Sequence, residues 1–275
     1  MSALRLLFLL AFVLVACGDS GDTDTQGDVA ASTSADVTSP DPVDDVEEEA
    51  QPEGSILFQG WVTNGVTQEP VEGAEVCVLE PEQGGETCDI ADADGLVEWR
   101  WLAPFESNFT ARFEHEDYTP QLVLGHYDDE VAASWEQEGV IAVTYRVFLT
   151  TVMEWWLGQG AISMDSAAGH IFVIVVGATE DTALDGMTAS LSDGSGTVVY
   201  WGADDTTLNT GLSASSTAGS VVIGNVAPGT HTLNIAHETL VCDNARAWLS
   251  DTPNEYTVPV EAGTVTVIYV SCGVE

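Results

Sequence analysis

The chain contains no lysine, and five arginines are its only strong bases against 45 acids. A formal net charge of −40 over 275 residues excludes partners that need a basic footprint, nucleic acid and anionic lipid head groups first among them. Long hydrophobic runs are also missing, so no stretch has the length of a comfortable transmembrane helix. There is no Gly-x-Ser-x-Gly elbow, phosphate loop or dinucleotide fingerprint, and no pair of histidines at His-x-x-x-His spacing. Carboxylate pairs are too abundant in so acidic a chain to point to glycosidase chemistry. The chain reads as a non-enzyme without a cofactor.

What is present begins with an apolar run, Leu6-Leu7-Phe8-Leu9-Leu10-Ala11-Phe12-Val13-Leu14, preceded by Arg5. Its length is that of a signal-peptide core. It ends in Leu14-Val15-Ala16-Cys17, which resembles the bacterial lipobox. That resemblance implies cleavage of a leader 1–16 and lipidation of Cys17. Each buried methylene adds about 0.8 kcal/mol, so several acyl chains would hold the protein on a membrane without a spanning helix. Gly18 follows the cysteine where aspartate would resemble an inner-membrane retention signal. The expected location is therefore the cell envelope at the outer membrane, on its periplasmic or its external face.

Cysteine is scarce and odd in number, five in all. Setting Cys17 aside leaves Cys77, Cys88, Cys242 and Cys272, two neighbouring pairs in separate halves of the chain. In an oxidising compartment this pattern predicts disulfides 77–88 and 242–272. On the chain-entropy argument they contribute about 3 and about 4 kcal/mol. Neither pair has the short spacing of a zinc knuckle.

From Gly18 to Gly54 large apolar residues are nearly absent and acids dominate, so this stretch cannot bury enough surface to fold. Residues 17–54 read as a lipidated, acidic tether. After Gly54, short apolar or alternating runs recur between turns such as Asn64-Gly65, Asp94-Gly95 and Asp193-Gly194. The runs include Ile56–Thr63, Ala74–Leu79, Leu96–Trp101, Asn108–Phe113, Val140–Met153, Ile171–Val176, Ser220–Val226 and Thr264–Cys272. Many short strands with frequent turns predict an all-β antiparallel architecture.

The chain also repeats itself. Gly95, Val97, Trp99, Phe109 and Ala111 match Gly219, Val221, Ile223, Leu233 and Ile235 at one constant offset, as Ala103-Pro104 matches Ala227-Pro228. Upstream, Glu72-Gly73-Ala74 matches Asp185-Gly186-Met187, and a longer loop around Asn209–Ser216 takes up the difference. Two copies of one module follow, at 55–150 and 168–275, joined by a connection over 151–167. Each copy resembles the carboxypeptidase regulatory-like (transthyretin-like) domain. The resemblance rests on Pro70-Val71-Glu72-Gly73-Ala74-Glu75-Val76-Cys77-Val78 and Asp92-Ala93-Asp94-Gly95 in the first copy. In the second it rests on Leu184-Asp185-Gly186-Met187-Thr188-Ala189 and Gly219–Gly229. The second copy departs in having Ala218-Gly219 for Asp-Gly, the first in having Pro104-Phe105 for Pro-Gly. The resemblance implies two tandem Greek-key β-sandwiches and says little about function.

Asp92-Ala93-Asp94-Gly95 lacks the acids of a calcium loop at Ile90 and Trp101, and reads as a turn. His115-Glu116-Asp117 and His126-Tyr127-Asp128-Asp129-Glu130 read as solvated loops, and His231 and His237 as strand-end residues, so no metal site is expected. Trp155 and Trp156, between the modules and without a counterpart in the second copy, are the candidate ligand-binding residues. Adjacent on a strand, they would face opposite ways. The sequence thus predicts an envelope lipoprotein with a structural, spacer or binding role. The alternative is a surface protein binding carbohydrate or protein through these aromatics, with calcium assisting.

Overall fold

The computed structural model describes residues 56–80, 85–101, 107–127, 136–137, 140–179, 182–204, 206–246, 248 and 252–274. Cys17, the leader 1–16 and the tether 17–54 lie outside the described residues. Among the described residues there are seventeen strands and one helix, and no helix is long and apolar enough to cross a membrane.

In the first half, strand β1 (Ile56–Asn64) lies between β4 (Leu96–Trp101), antiparallel, and β8 (Val140–Val147), parallel, with the short β7 (Glu136–Gln137) beyond β8. A second layer joins β2 (Glu75–Glu80), β5 (Ser107–Glu114) and β6 (Gln121–Tyr127), all antiparallel, with β3 (Gly85–Ile90) outside β2. Strand alternation sends Phe58, Trp99, Val143 and Tyr145 inward from one layer, against Val76, Val78, Phe109 and Phe113 from the other. The turn between β3 and β4 forms as its residues predict. Asp92 Oδ1 accepts from the Asp94 and Leu96 amides, both at 2.9 Å, and Gly95 takes φ +74°. A Cβ at Gly95 would lie 2.5 Å from the Val62 carbonyl oxygen.

The second half builds the same kernel. Strand β9 (Gly169–Gly177) lies between β13 (Val221–Val226), antiparallel, and β17 (Val265–Gly273), parallel. Strands β10 (Thr188–Leu191), β14 (Gly229–Ala236) and β16 (Glu255–Val260) form the facing antiparallel layer. Beyond β13 come β11 (Thr197–Trp201) and β12 (Leu208–Asn209), and β15 (Val241–Arg246) pairs with β17. The repeated positions correspond in space as well: Trp99 sits opposite Phe58 on β1, and Ile223 opposite Ile171 on β9.

The halves share a sheet. Gln121, Leu122 and Val123 of β6 pair in parallel with Val265, Thr266 and Val267 of β17. A single ten-stranded sheet, ordered β12-β11-β13-β9-β17-β6-β5-β2-β3 with β15 beside β17, therefore runs through both. The junction is reinforced by Val265 N–H donating to the Pro120 carbonyl at 3.0 Å and Trp248 Nε1 donating to the Phe109 carbonyl at 3.0 Å. Arg112 Nε lies 3.9 Å from Glu261 Oε2. The fold is thus an all-β, sandwich-like arrangement of one large and two smaller sheets.

One element differs in type from its expectation. The run Val140–Met153 is not a continuous strand: β8 ends at Val147, and helix α1 spans Thr150–Gln159. The helix buries Met153 and Leu157, and Ile162 after it, against Phe172, Val199, Val222, Val265 and Val267 on the outer face of the large sheet. This explains the continuous apolar character of Gly169–Gly177. Ile171, Val173 and Val175 enter the sandwich core, while Phe172 and Ile174 meet the helix layer.

Candidate functional site

Helix α1 positions the two candidate tryptophans. Its start is fixed by backbone rather than by a capping side chain: Thr150 N–H donates to the Asp117 carbonyl and Thr119 N–H to the Phe148 carbonyl. Its end is a Schellman-type closure. Ile162 N–H bonds the Leu157 carbonyl at 2.9 Å, Ala161 N–H bonds the Gly158 carbonyl at 3.1 Å, and Ala161 itself takes φ +55°. The contact of Ile162 with Leu157 in one apolar cluster completes that motif.

Successive helical residues turn by roughly 100°, so Trp155 and Trp156 diverge by less than the opposed directions expected of a strand. Trp156 packs inward, its ring 4.9 Å from Phe148 and 5.4 Å from Trp201, both edge to face. Phe148 in turn lies over Gly65, where a Cβ would come within 2.1 Å of its ring. Trp155 remains 58% exposed, beside the exposed Glu154. The structure therefore separates the candidate pair into one packing residue and one presented indole.

Both expected disulfides are formed, each joining residues directly opposite on neighbouring strands. Cys242 and Cys272 are buried within the second core. Cys77 is buried and Cys88 exposed, and neither belongs to the first core cluster. The Glu75 carboxylate and the sulfurs of Cys77 and Cys88 lie within 4.8 Å of one another. Metal ligation needs thiolates, so with the disulfide closed these sulfurs are not ligands of the usual kind. The spacing of Cys77 and Cys88 points to a crosslink and so does not mark this grouping. Its trace in the sequence is Glu75-Val76-Cys77, where strand alternation brings the acid and the thiol to one face.

The histidines have local partners. His237 Nδ1 accepts from the amides of Thr239 and Leu240, and Nε2 donates to the Asp185 carbonyl at 2.9 Å. His231 faces Asp193 at 3.1 Å and the Ala227 carbonyl at 2.8 Å. His115 Nδ1 accepts from Asp117 N–H, and His126 Nδ1 lies 2.9 Å from Asn108 Oδ1. Residues 128–130 lie outside the described residues. His170, not singled out from the sequence, is 1% exposed. Its Nδ1 receives the Asn225 amide at 3.4 Å, beside the irregularity where β13 shifts register against β9. Burial lowers its pKa from the ordinary 6.5, with Asp165 opposing.

An open cleft of about 600 Å³ is lined by Thr182, Asp185, Gly186, His237, Glu238 and Leu240, among others. Because His237 spends both ring nitrogens on backbone, the cleft offers no free base from that residue. Taken together, buried and exposed aromatics and the grouping at Glu75, Cys77 and Cys88 are consistent with a surface-binding role and do not single out a purely structural spacer.

No family model matches the chain, and no curated protein matches it. Among solved structures it is similar to the TIE protein of Bacillus anthracis at 10% identity and TM-score 0.27, over 80% of this chain and 34% of that one. It is also similar to the minor pilin of Streptococcus agalactiae at 8% identity and TM-score 0.26, over 80% of this chain and 96% of that one. A third similarity, to hydroxyquinol 1,2-dioxygenase from Pseudomonas putida DLL-E4, has 10% identity and TM-score 0.29 over 36% of this chain and 58% of that one. The chain spans about a third of the length of the TIE protein. Likenesses at these TM-scores carry no argument about function.

Proposed function

We propose that the chain is a non-catalytic, surface ligand-binding protein of the cell envelope, anchored through lipid on Cys17 and held off the membrane by the tether 17–54. In this reading the folded part is a pair of transthyretin-like sandwiches, and Trp155 is the contact residue. The observation that carries it is the indole of Trp155, 58% exposed on a helix whose other side is pinned to the sheet by Met153 and Leu157. A rigidly mounted aromatic loses little conformational freedom on binding. The ligand class that fits is neutral carbohydrate. A sugar's C–H face stacks on indole, and a net charge of −40 repels anionic glycans. A pure spacer role draws support from the sheet that runs unbroken through both halves.

Titration of the full chain with neutral cell-wall oligosaccharides, followed by tryptophan fluorescence, tests the assignment. Saturable binding that Trp155→Ala weakens by about tenfold supports it, on the scale of a lost interface anchor. Absence of binding, or equal binding by Trp155→Ala, overturns it and leaves the spacer role. Retention of Cys17→Ser in the membrane fraction would overturn the lipid anchor. A melting temperature indifferent to calcium and chelator would remove calcium from the account.

A further inference from the structure

We propose that the Cys77–Cys88 disulfide is a reducible switch, and that its dithiol form, together with Glu75, binds a thiophilic divalent cation such as zinc. The two disulfides share a local plan, with cysteines opposite one another on adjacent antiparallel strands. They differ in setting. Cys242 and Cys272 are 1% and 0% exposed inside an apolar core, out of reach of an attacking thiolate. Cys88 is exposed on β3, which among the described residues is the last strand of the large sheet and pairs only with β2. Accessible disulfides are the ones that exchange readily, because the attacking thiolate must approach along the S–S axis.

Opening the bond leaves the local structure supported. β2 and β3 remain paired from Glu75↔Ile90 to Glu80↔Gly85, and β2 is also paired along its other side with β5. An external dithiol is the reductant class. Its first thiolate attacks the Cys88 sulfur, and the Cys77 sulfur leaves as thiolate and takes up a proton. The second thiol then closes on the mixed disulfide and releases Cys88. The reductant ends as a disulfide, and two electrons and two protons have moved to the protein.

With the bond closed, the two sulfurs and the Glu75 carboxylate already lie within 4.8 Å of one another, so opening it leaves two thiols and a carboxylate grouped on one face of the strand pair. That is a set of three protein ligands, two soft and one hard, leaving a fourth tetrahedral position for water. Binding displaces both thiol protons, so affinity rises with pH. Reduction would thus convert a crosslink into a metal site without rearranging the strands that carry it. The proposal uses residues other than Trp155 and stands independently of the carbohydrate reading.

The test uses the full chain carrying Cys17→Ser, so that four cysteines report. Under graded dithiothreitol, alkylation and peptide mass analysis should label Cys77 and Cys88 at a reductant concentration about tenfold below that needed for Cys242 and Cys272, reflecting access. Simultaneous labelling of all four, or labelling only after unfolding, overturns the switch. Cadmium added to the selectively reduced protein should give a thiolate-to-metal charge-transfer band that zinc displaces and that the oxidised protein lacks. Glu75→Gln, an exposed change that leaves the strands intact, should weaken cadmium binding by about tenfold, since even outer partners of a metal cost that much. No band, or equal affinity in Glu75→Gln, overturns the metal site.

Discussion

The two halves build one kernel and fill it with different material. In the first, Phe58, Trp99, Phe113 and Tyr145 interlock, with Phe58 stacked 5.7 Å from Trp99 and Phe113 4.8 Å from Tyr145. In the second, the interior is mainly aliphatic, with Ile171, Val173, Leu191, Val221, Ile223, Leu233 and Ile235. The glycine Gly60 permits the aromatic solution. Paired with Val97, it holds the place that Val173, paired with Val221, holds in the second half. A Cβ at Gly60 would meet Tyr145, Val97 and Trp99 at 3.0–3.1 Å. The halves differ outside as well: the second half's part of the large sheet is covered by α1, while the outer face of β2 and β3 in the same sheet carries Glu75 and the exposed Cys88. A repeated backbone plan thus tolerates different cores provided each keeps its volume and its alternation.

The comparison is broken most severely by removing the outer cover of the second half. Leu157→Ala deletes a side chain with 0% exposure under the helix and should cost about 3 kcal/mol in urea unfolding. Because the sheet is continuous, both halves should lose stability in one transition; two separate transitions would show that the β6–β17 pairing does not couple them. Gly60→Val makes the first half imitate the second. It should destabilise by about 2 kcal/mol through overpacking, and a neutral result would mean the aromatic cluster has more slack than its distances suggest.

The smallest effect concerns His170, whose counterpart in the first half is Leu57, paired with Arg100. Burial holds the folded-state pKa of His170 below 6.5, so only the unfolded chain takes up this proton just below that value. Its contribution is complete above pH 6.5 and is lost as pH falls from there toward the folded-state value. Asp193 and Asp204 are depressed chiefly by the backbone amides of Ser195 and Thr206, so they act in a lower window, from 3.8 downward. The drop in urea midpoint between about pH 7.5 and about pH 5.5 should be smaller in His170→Leu than in the parent. An equal drop would show that another group carries it.

Much of this was legible in the residues. Both cysteine pairings, the Asp92–Gly95 turn and most strands follow from spacing, alternation and glycine position. The helix was not legible. Thr150-Thr151-Val152 prolongs a β-prone run, and Leu149 offers no capping oxygen; the start depends on backbone partners at Asp117 and Tyr118, distant in sequence. The pattern marks both tryptophans alike, whereas the exposure of Trp155 and the packing of Trp156 follow from helical geometry it does not announce. The short register of β6 against β17 has no sequence signature, since parallel edge pairing leaves no hairpin turn to mark it.

By itself, then, the sequence determined the acidic character, the two cysteine pairs and a twice-repeated set of short strands, because these depend on composition and on local periodicity. Tertiary structure alone decided that the halves join through one sheet, that a helix covers the second of them, and that one disulfide is sealed in a core while the other faces solvent. Those outcomes depend on which faces and edges meet, and such contacts between distant residues are selected by packing rather than by neighbours in the chain.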